Sequence, residues 1–289
     1  MPINTNVSSA AINNVGTQIA NFIPAVWSKK ILDKLQLECK LVDNCWQEYE
    51  GDVQHASAVH ILGIGDVIVN DYTGMKGDGI EYKQVTDAGQ TLIIDQAKYF
   101  ALMFDDVERA QTMPGLWEGT NEEAVQQLAV ARDSYVASKI KEGTNVTTAT
   151  NLTTEAVKKA VDDGIVALKK RNCNEKADIE LSPEAAMCFL NALTVVSTDN
   201  PEYIKKGVIG FYHGHKVVES NNMATDGTYS YCAIRSKKAV AFAGQINKIE
   251  AIRLQDYFAD AVRGLDVYGS KVIDNNRMQV IKIPLTVNV

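Results

Sequence analysis

The chain lacks any basic tract: 29 Lys and Arg stand against 36 Asp and Glu, a formal charge of −7 over 289 residues. A protein that grips nucleic acid normally needs a positive stripe, so tight DNA or RNA binding is not expected. No uncharged run is long and apolar enough to span a bilayer. The five cysteines (Cys39, Cys45, Cys173, Cys188, Cys232) are odd in number and form no CxxC knuckle. The start of the chain has neither a basic n-region nor a continuous apolar stretch, so the thiols read as reduced ones, in a chain made in the cytosol. The remaining lack is charge itself at the start. Met1 to Ser28 carry no charged side chain and are rich in Asn, Ser, Thr and Ala. Two readings stay open: a disordered terminus, or an extended arm with Ile12, Val15 and Ile19 ordering against a neighbouring subunit.

What is present is ordinary globular composition, 46% hydrophobic, enough for a core and two subdomains. A helix is predicted from Pro24, with Trp27, Ile31 and Leu35 at near-helical spacing. From Cys39 to about Tyr49 the pattern reads as extended. Ser57 to Phe104 reads as a long β-hairpin. His60 to Leu62 and Val67 to Val69 form one arm; Thr91 to Ile94 and Tyr99 to Phe104 return. Gly74-Met75-Lys76-Gly77-Asp78-Gly79 forms the tip between them. Two strands alone bury little, so this hairpin needs cover from the same chain or another copy.

Thr120 and Glu123 predict a capping box opening a helix of roughly 20 residues, about 30 Å long. Val125, Leu128, Arg132, Tyr135, Val136 and Ile140 lie down one face, and Gly143 closes it. The uncharged stretch Thr144 to Thr154 is a joint between subdomains. A second helix follows with a stripe of Val157, Ala160, Val161, Gly164, Ile165 and Leu168. Then come a strand at Ala177 to Leu181 and a helix opened by Ser182-Pro183 that runs through Met187 and Leu190. Further strands are predicted around Val208 to Phe211, His215 to Val218, Tyr229 to Ile234, Ile249 to Arg253, Gly264 to Ile273 and Met278 to Ile283.

No catalytic or metal constellation emerges. Cys39, Cys45, His55 and His60 fit no zinc spacing, and small buried thiols are the default. His213-Gly214-His215 lacks a third ligand nearby in sequence and reads as a surface turn. The glycines at 74, 77 and 79 precede no G-K-[ST], so no phosphate loop forms there. The adjacent acids Asp105-Asp106, Glu122-Glu123 and Asp162-Asp163 point in different directions and read as solvated faces rather than acid/base dyads.

The order of elements then becomes informative: uncharged arm, short helix, long glycine-tipped hairpin, spine helix, polar joint, α/β subdomain, returning β segment. That order resembles the major capsid proteins of tailed bacteriophages, the Hong Kong 97-type coat fold. Several stretches are similar to the family's own, in the family's order: Phe22 to Lys30, Asp95-Gln96-Ala97-Lys98-Tyr99-Phe100-Ala101 running on to Gln111, Ala239 to Gln245, and Gly264-Leu265-Asp266-Val267-Tyr268-Gly269-Ser270-Lys271-Val272. Two departures stand out. Ile273 to Arg277 replaces a proline-containing step, and no long charged N-terminal extension is present.

The resemblance implies an α+β fold with an N-terminal arm (1–21) and a peripheral domain in three parts (22–56, 99–146 with the spine helix, and 246–289). It also implies an extended loop (57–98) and an axial domain (147–245). It implies a structural, non-enzymatic virion subunit without cofactors or metal. That subunit would form hexamers and pentamers of an icosahedral shell around double-stranded DNA, with no sequence-specific DNA contact and no membrane. Synthesis would occur in the cytoplasm of a host bacterium. Partners would be portal and scaffolding proteins, with decoration proteins as a further option. Contacts between copies would involve Ile12, Val15 and Ile19 of the arm and Gly74, Met75, Lys76, Gly77 and Asp78 of the loop tip. The alternatives are an encapsulin-like nanocompartment shell and, from another class, a cytosolic α/β enzyme.

Overall fold

The computed structural model describes residues 39–48, 58–61, 89–105, 116–192, 196–197, 208–255 and 258–285. Early in the chain stand β1 (Ala58–Ile61), β2 (Gln90–Ile93) and β3 (Gln96–Asp105), followed by the long helix α1 (Leu116–Lys141). The middle holds β4 (Val146–Thr148), α2 (Thr154–Lys170), β5 (Ala177–Leu181), α3 (Pro183–Ala192) and β6 (Val196–Ser197). The remaining strands are β7 (Val208–Tyr212), β8 (His215–Glu219), β9 (Tyr229–Ser236), β10 (Val240–Arg253), β11 (Ala259–Val272) and β12 (Met278–Pro284).

Seven strands form one sheet in the order β4-β12-β9-β5-β8-β7-β6. Its centre is covered on both sides, and the alternation of β9 and β12 shows how. Cys232, Ile234, Ile281 and Ile283 face α2 and α3, whereas Tyr231, Ala233, Met278 and Val280 face α1. A strand buried on both faces reads as a continuous apolar run rather than an alternating one. α2 carries the predicted stripe without change: Val157, Ala160, Val161, Gly164, Ile165 and Leu168 are all buried. Its first turn is capped by Thr153, whose hydroxyl accepts from the Ala156 N–H. On α3 the buried face is Ala185, Ala186 and Phe189, while Met187 lies exposed.

A second sheet, β10-β11-β3, is antiparallel throughout. It packs on α1 through Phe242 and Tyr268, against Val125, Leu128, Val136 and Ile140. Arg132, on the apolar face of α1, is buried as the stripe required. It forms a two-pronged pair with Asp266 of β11, at 2.8 and 2.5 Å, and lies over the Phe242 and Tyr268 rings.

Four sequence expectations need correction. α1 begins at Leu116, so Thr120 lies inside the helix and not at its cap; Leu116, Trp117 and Glu118 are all helix-compatible, and Gly119 alone costs too little to stop propagation. α1 ends at Lys141, and Gly143 is not left-handed; it is small because a Cβ there would meet Met278 and Val280. The segment after Cys39 is not extended but turns through a short 3-10 helix, Val42–Asn44. Finally, the predicted returning arm divides. Gln90–Ile93 pairs with Ala58–Ile61, but Gln96–Asp105 leaves to pair with β11, Tyr99 standing opposite Leu265. The predicted helix at Pro24 and the hairpin strand at Val67 to Val69 lie outside the described residues.

A surface network ties the seven-stranded sheet to the turn that precedes β12. Arg277 and Ser236 donate to Glu175, as does Lys238 more distantly, and Arg277 also pairs with Asp274. These donors, Arg277 first, hold the Glu175 carboxyl down at about 2. A depressed carboxylate adds stability above its unfolded value and loses it as pH falls through the folded one. An NMR titration is expected to place the Glu175 midpoint near 2. Glu175→Gln should flatten the acid limb of the stability profile by less than about 1 kcal/mol, because the site is solvent-screened.

Candidate assembly surface

Three features bear on how the molecule could contact others: a clamped strap, the two-stranded ribbon β1–β2, and an exposed sheet face.

The strap is Cys39 to Trp46, which threads between α1 and the seven-stranded sheet. Asp133 of α1 accepts the backbone N–H groups of Lys40, Leu41 and Val42 at 2.9, 3.1 and 3.2 Å. Burial pushes its carboxyl above the usual carboxylate range, against the pull of these three donors. From the other side Arg235 of β9, fully buried, donates to the Leu41 and Asn44 carbonyls at 2.7 and 2.6 Å and to the Cys45 thiol at 3.3 Å. Its remaining contacts go to Glu180 of β5, which is also buried and takes a further bond from the Asn44 amide. Burial opposes the charge on Arg235, but Glu180 and Cys45 outweigh it and keep the guanidinium ionised. Trp46 then pairs with the start of β10, donating to the Val240 carbonyl and accepting from the Phe242 N–H. The strap thus combines local bonds, Asn44 N–H to the Leu41 carbonyl and Cys45 N–H to the Val42 carbonyl, with these anchors on elements distant in sequence.

The second feature is the two-stranded ribbon β1–β2. Val59, Ile61 and Leu92 are buried against Ala241 and Ala243. The ribbon is pinned to β11 and its sequel by the Lys271 ammonium on the Thr91 carbonyl and by the Gln90 amide on the Ile273 carbonyl, both at 2.9 Å. At Gly269 the two backbones approach so closely that a Cβ would fall on the Ile93 carbonyl oxygen and the Ile94 Cα. A cleft of about 360 Å³ opens beside the ribbon, lined among others by Asp95, Tyr135, Lys139, Glu142 and Lys271. Its charges balance, and the Tyr135 hydroxyl is spent on Asp95 at 2.6 Å. The cleft offers no thiol, imidazole or activated nucleophile.

The uncovered face belongs to the three-stranded sheet. Cross-strand partners share a face, which places Tyr99 beside Leu265, Ala101 beside Arg263 and Met103 beside Ala261. Tyr99 is 78% exposed, Met103 59% and Leu265 38%. In the middle, Arg263 pairs with Glu250 of β10 at 2.5 Å. The opposite face is the packed one, where Gly264 gives room to the Phe100 ring. Sequence reading did not single out this face, although the signal is present. Tyr99 to Phe104 is apolar at every position, which a strand with one face in water has no reason to be.

The contact residues assigned from sequence, Ile12, Val15, Ile19, Gly74, Met75, Lys76, Gly77 and Asp78, lie outside the described residues. Cys39 and Cys45 are buried in the core, and burial pushes the Cys45 thiol up to about 11. His60 hydrogen-bonds Thr91, and His55 lies outside the described residues. His213 and Gly214 form a tight turn between β7 and β8, with φ of 48° and 83°, while His215 bonds the Ala177 carbonyl. Among the described residues no three His, Cys, Asp or Glu converge on a metal site.

Among solved structures, the chain is similar to one from Mycobacterium phage Che8, at 26% identity and a TM-score of 0.67, covering 83% of this chain and 90% of that one. It is similar to the capsid structure of cyanophage P-SCSP1u, at 15% identity and a TM-score of 0.61, covering 80% and 84%. The mature capsid of bacteriophage PhiM1 matches at 14% identity and a TM-score of 0.61, covering 80% and 83%. No protein-family model and no curated protein matches the chain. The expected α+β class is found, realised as a long helix, a small sheet beside it and a larger mixed sheet.

Proposed function

We propose that this chain, which has the fold of phage capsid proteins, is the major capsid subunit of a tailed phage, assembling into hexamers and pentamers of an icosahedral shell around double-stranded DNA. The observation that carries the reading is likeness to a phage structure over 90% of that chain's length, at 26% identity. Physical features agree with it. The net charge of −7 suits a wall that contains DNA without gripping it. The uncovered sheet face and the pinned ribbon suit a subunit finished by its neighbours. In this reading the peripheral domain comprises 22–56, 99–146 with α1, and 246–289, the axial domain 147–245, and the extended loop 57–98. The arm residues Ile12, Val15 and Ile19 and the loop-tip residues Gly74 to Asp78 supply further contacts between copies. Portal and scaffolding proteins assist assembly.

Expression with a scaffolding protein, followed by size-exclusion chromatography and electron microscopy, tests this directly. Closed megadalton shells are expected, and a chain that stays monomeric or dimeric under those conditions refutes the reading. Intact shells that copurify with an enclosed cargo enzyme would assign a nanocompartment instead.

A further inference from the structure

The outer edge of β3 is open: in the sheet order β10-β11-β3 no other described strand pairs with it. The strand is ten residues long, holds no proline, and has one charged residue, Lys98, before its final Asp105. Such an edge is a template for another strand unless something blunts it. Its exposed face shows what kind of strand fits. Tyr99, Ala101 and Met103 all lie on the uncovered face and are arranged symmetrically about Ala101.

We propose that β3 pairs antiparallel with β3 of a second copy across a two-fold axis through Ala101, joining two three-stranded sheets into one of six strands. Directly opposed residues in an antiparallel pair share a face, so a two-fold axis between strands must pass through a residue position to keep the apolar face continuous. An axis at Ala101 sets Tyr99 opposite the partner subunit's Met103, and Ala101 opposite the partner subunit's Ala101. The large side chains then alternate with the small ones, and Lys98 meets no like charge. The interface is isologous, as a two-fold contact must be. A register shifted by two residues would set Tyr99 opposite position 105, an aspartate, or give Tyr99 and Met103 only alanines to face.

The occupant is a second copy rather than an unrelated protein for two reasons. The edge is complementary to itself, and the area on offer is small. Tyr99 and Met103 from each side bury on the order of a few hundred Å², below the roughly 800 Å² per partner of a stable free complex. Such a contact is worth little alone and counts when it is repeated around a closed shell. In that sense the inference rests on the capsid reading, where it supplies a two-fold link between subunits.

Cysteine cross-linking in assembled particles tests it. Ala101→Cys is expected to give disulfide-linked dimers on mild oxidation, because directly opposed strand positions lie within disulfide reach. Tyr99→Cys alone should give none, yet shells co-assembled from Tyr99→Cys and Met103→Cys chains should cross-link. Tyr99→Asp, at an exposed position, should keep the melting temperature of the wild type and lose particle formation. Particles that form normally while Ala101→Cys fails to cross-link, or Tyr99→Asp particles formed at wild-type yield, overturn the pairing and leave the capsid reading intact. A cross-link that needs another virion protein overturns the choice of partner. A wild-type chain that forms no particle overturns the capsid reading, and this inference with it.

Discussion

Arg235→Ala is expected to cost about 3–5 kcal/mol, the range for removing one partner of a buried charge pair. The change strands the buried Glu180 carboxylate with only the Asn44 amide beside it, and it removes the guanidinium donor from the Asn44 carbonyl and from the Leu41 carbonyl, which keeps the Asn44 N–H and the Cys45 thiol. Domains of this kind hold about 5–15 kcal/mol in total, so the variant should be poorly soluble and unfold at much lower urea. Arg235→Lys should not rescue it, because a single ammonium cannot reach Glu180 and two carbonyls in the guanidinium's fork geometry. The double variant Arg235→Met, Glu180→Leu should recover part of the loss by removing both charges, but not all, since the strap still loses its guanidinium bonds to the Leu41 and Asn44 carbonyls. Urea midpoints of the four proteins decide the matter. A single variant within about 1 kcal/mol of wild type would show that the strap is not held through Arg235.

Gly269→Val is expected to have the next largest effect, and of a different kind. The obstacle at Gly269 is main chain, the Ile93 carbonyl oxygen and the Ile94 Cα, so no side chain can swing away to make room. Either β11 distorts or the β1–β2 ribbon lifts off Ala241 and Ala243. Lifting exposes Val59, Ile61 and Leu92, worth about 1.5–3 kcal/mol each when fully buried. The molecule takes the cheaper route, which puts the expected loss at about 3 kcal/mol, with the damage confined to the ribbon. Hydrogen exchange should accelerate at Val59 and Leu92 while the amides of β9 and β12 stay protected. Uniform protection in the variant would mean that the ribbon tolerates the side chain. If the capsid reading holds, shell yield should fall more than global stability does, because the ribbon aims the extended loop.

How far the sequence carried the fold varies with the distance over which each feature is decided. The buried stripe of α2 is legible residue by residue, since an amphipathic pattern is local. β5, β7, β8, β9 and β12 came within one or two residues of their predicted ends, because Gly, Ser-Pro and polar turns bracket them. The start of α1 was misplaced: a Thr-x-x-Glu pattern inside a good helix looks the same as one at its beginning. The partner of β3 lay about 160 residues away, and nothing in a strand names its neighbour. Asp133 and Glu180 escaped notice for a related reason. A carboxylate among polar residues reads as solvated until the chain that buries it is in place. Of the candidate surface, the sequence pointed to the arm and loop tip. The exposed Tyr99–Met103 face emerges only in the structure, because an all-apolar run reads equally as the arm of a hairpin.

The position of β12 bears on the order of events during synthesis. Met278 and Val280 complete the core beneath α1, Ile281 and Ile283 complete the core beneath α2, and β4 has β12 as its one described strand partner. β4 leaves the ribosome about 130 residues before the strand it must pair with, a wait of roughly 6–26 s at 5–20 residues per second. Until then both cores stand open and the larger sheet lacks the strand that joins β4 to β9. A nascent chain is therefore not a finished building block. Its open apolar cores and unpaired strand edges leave it prone to aggregation until β12 closes them.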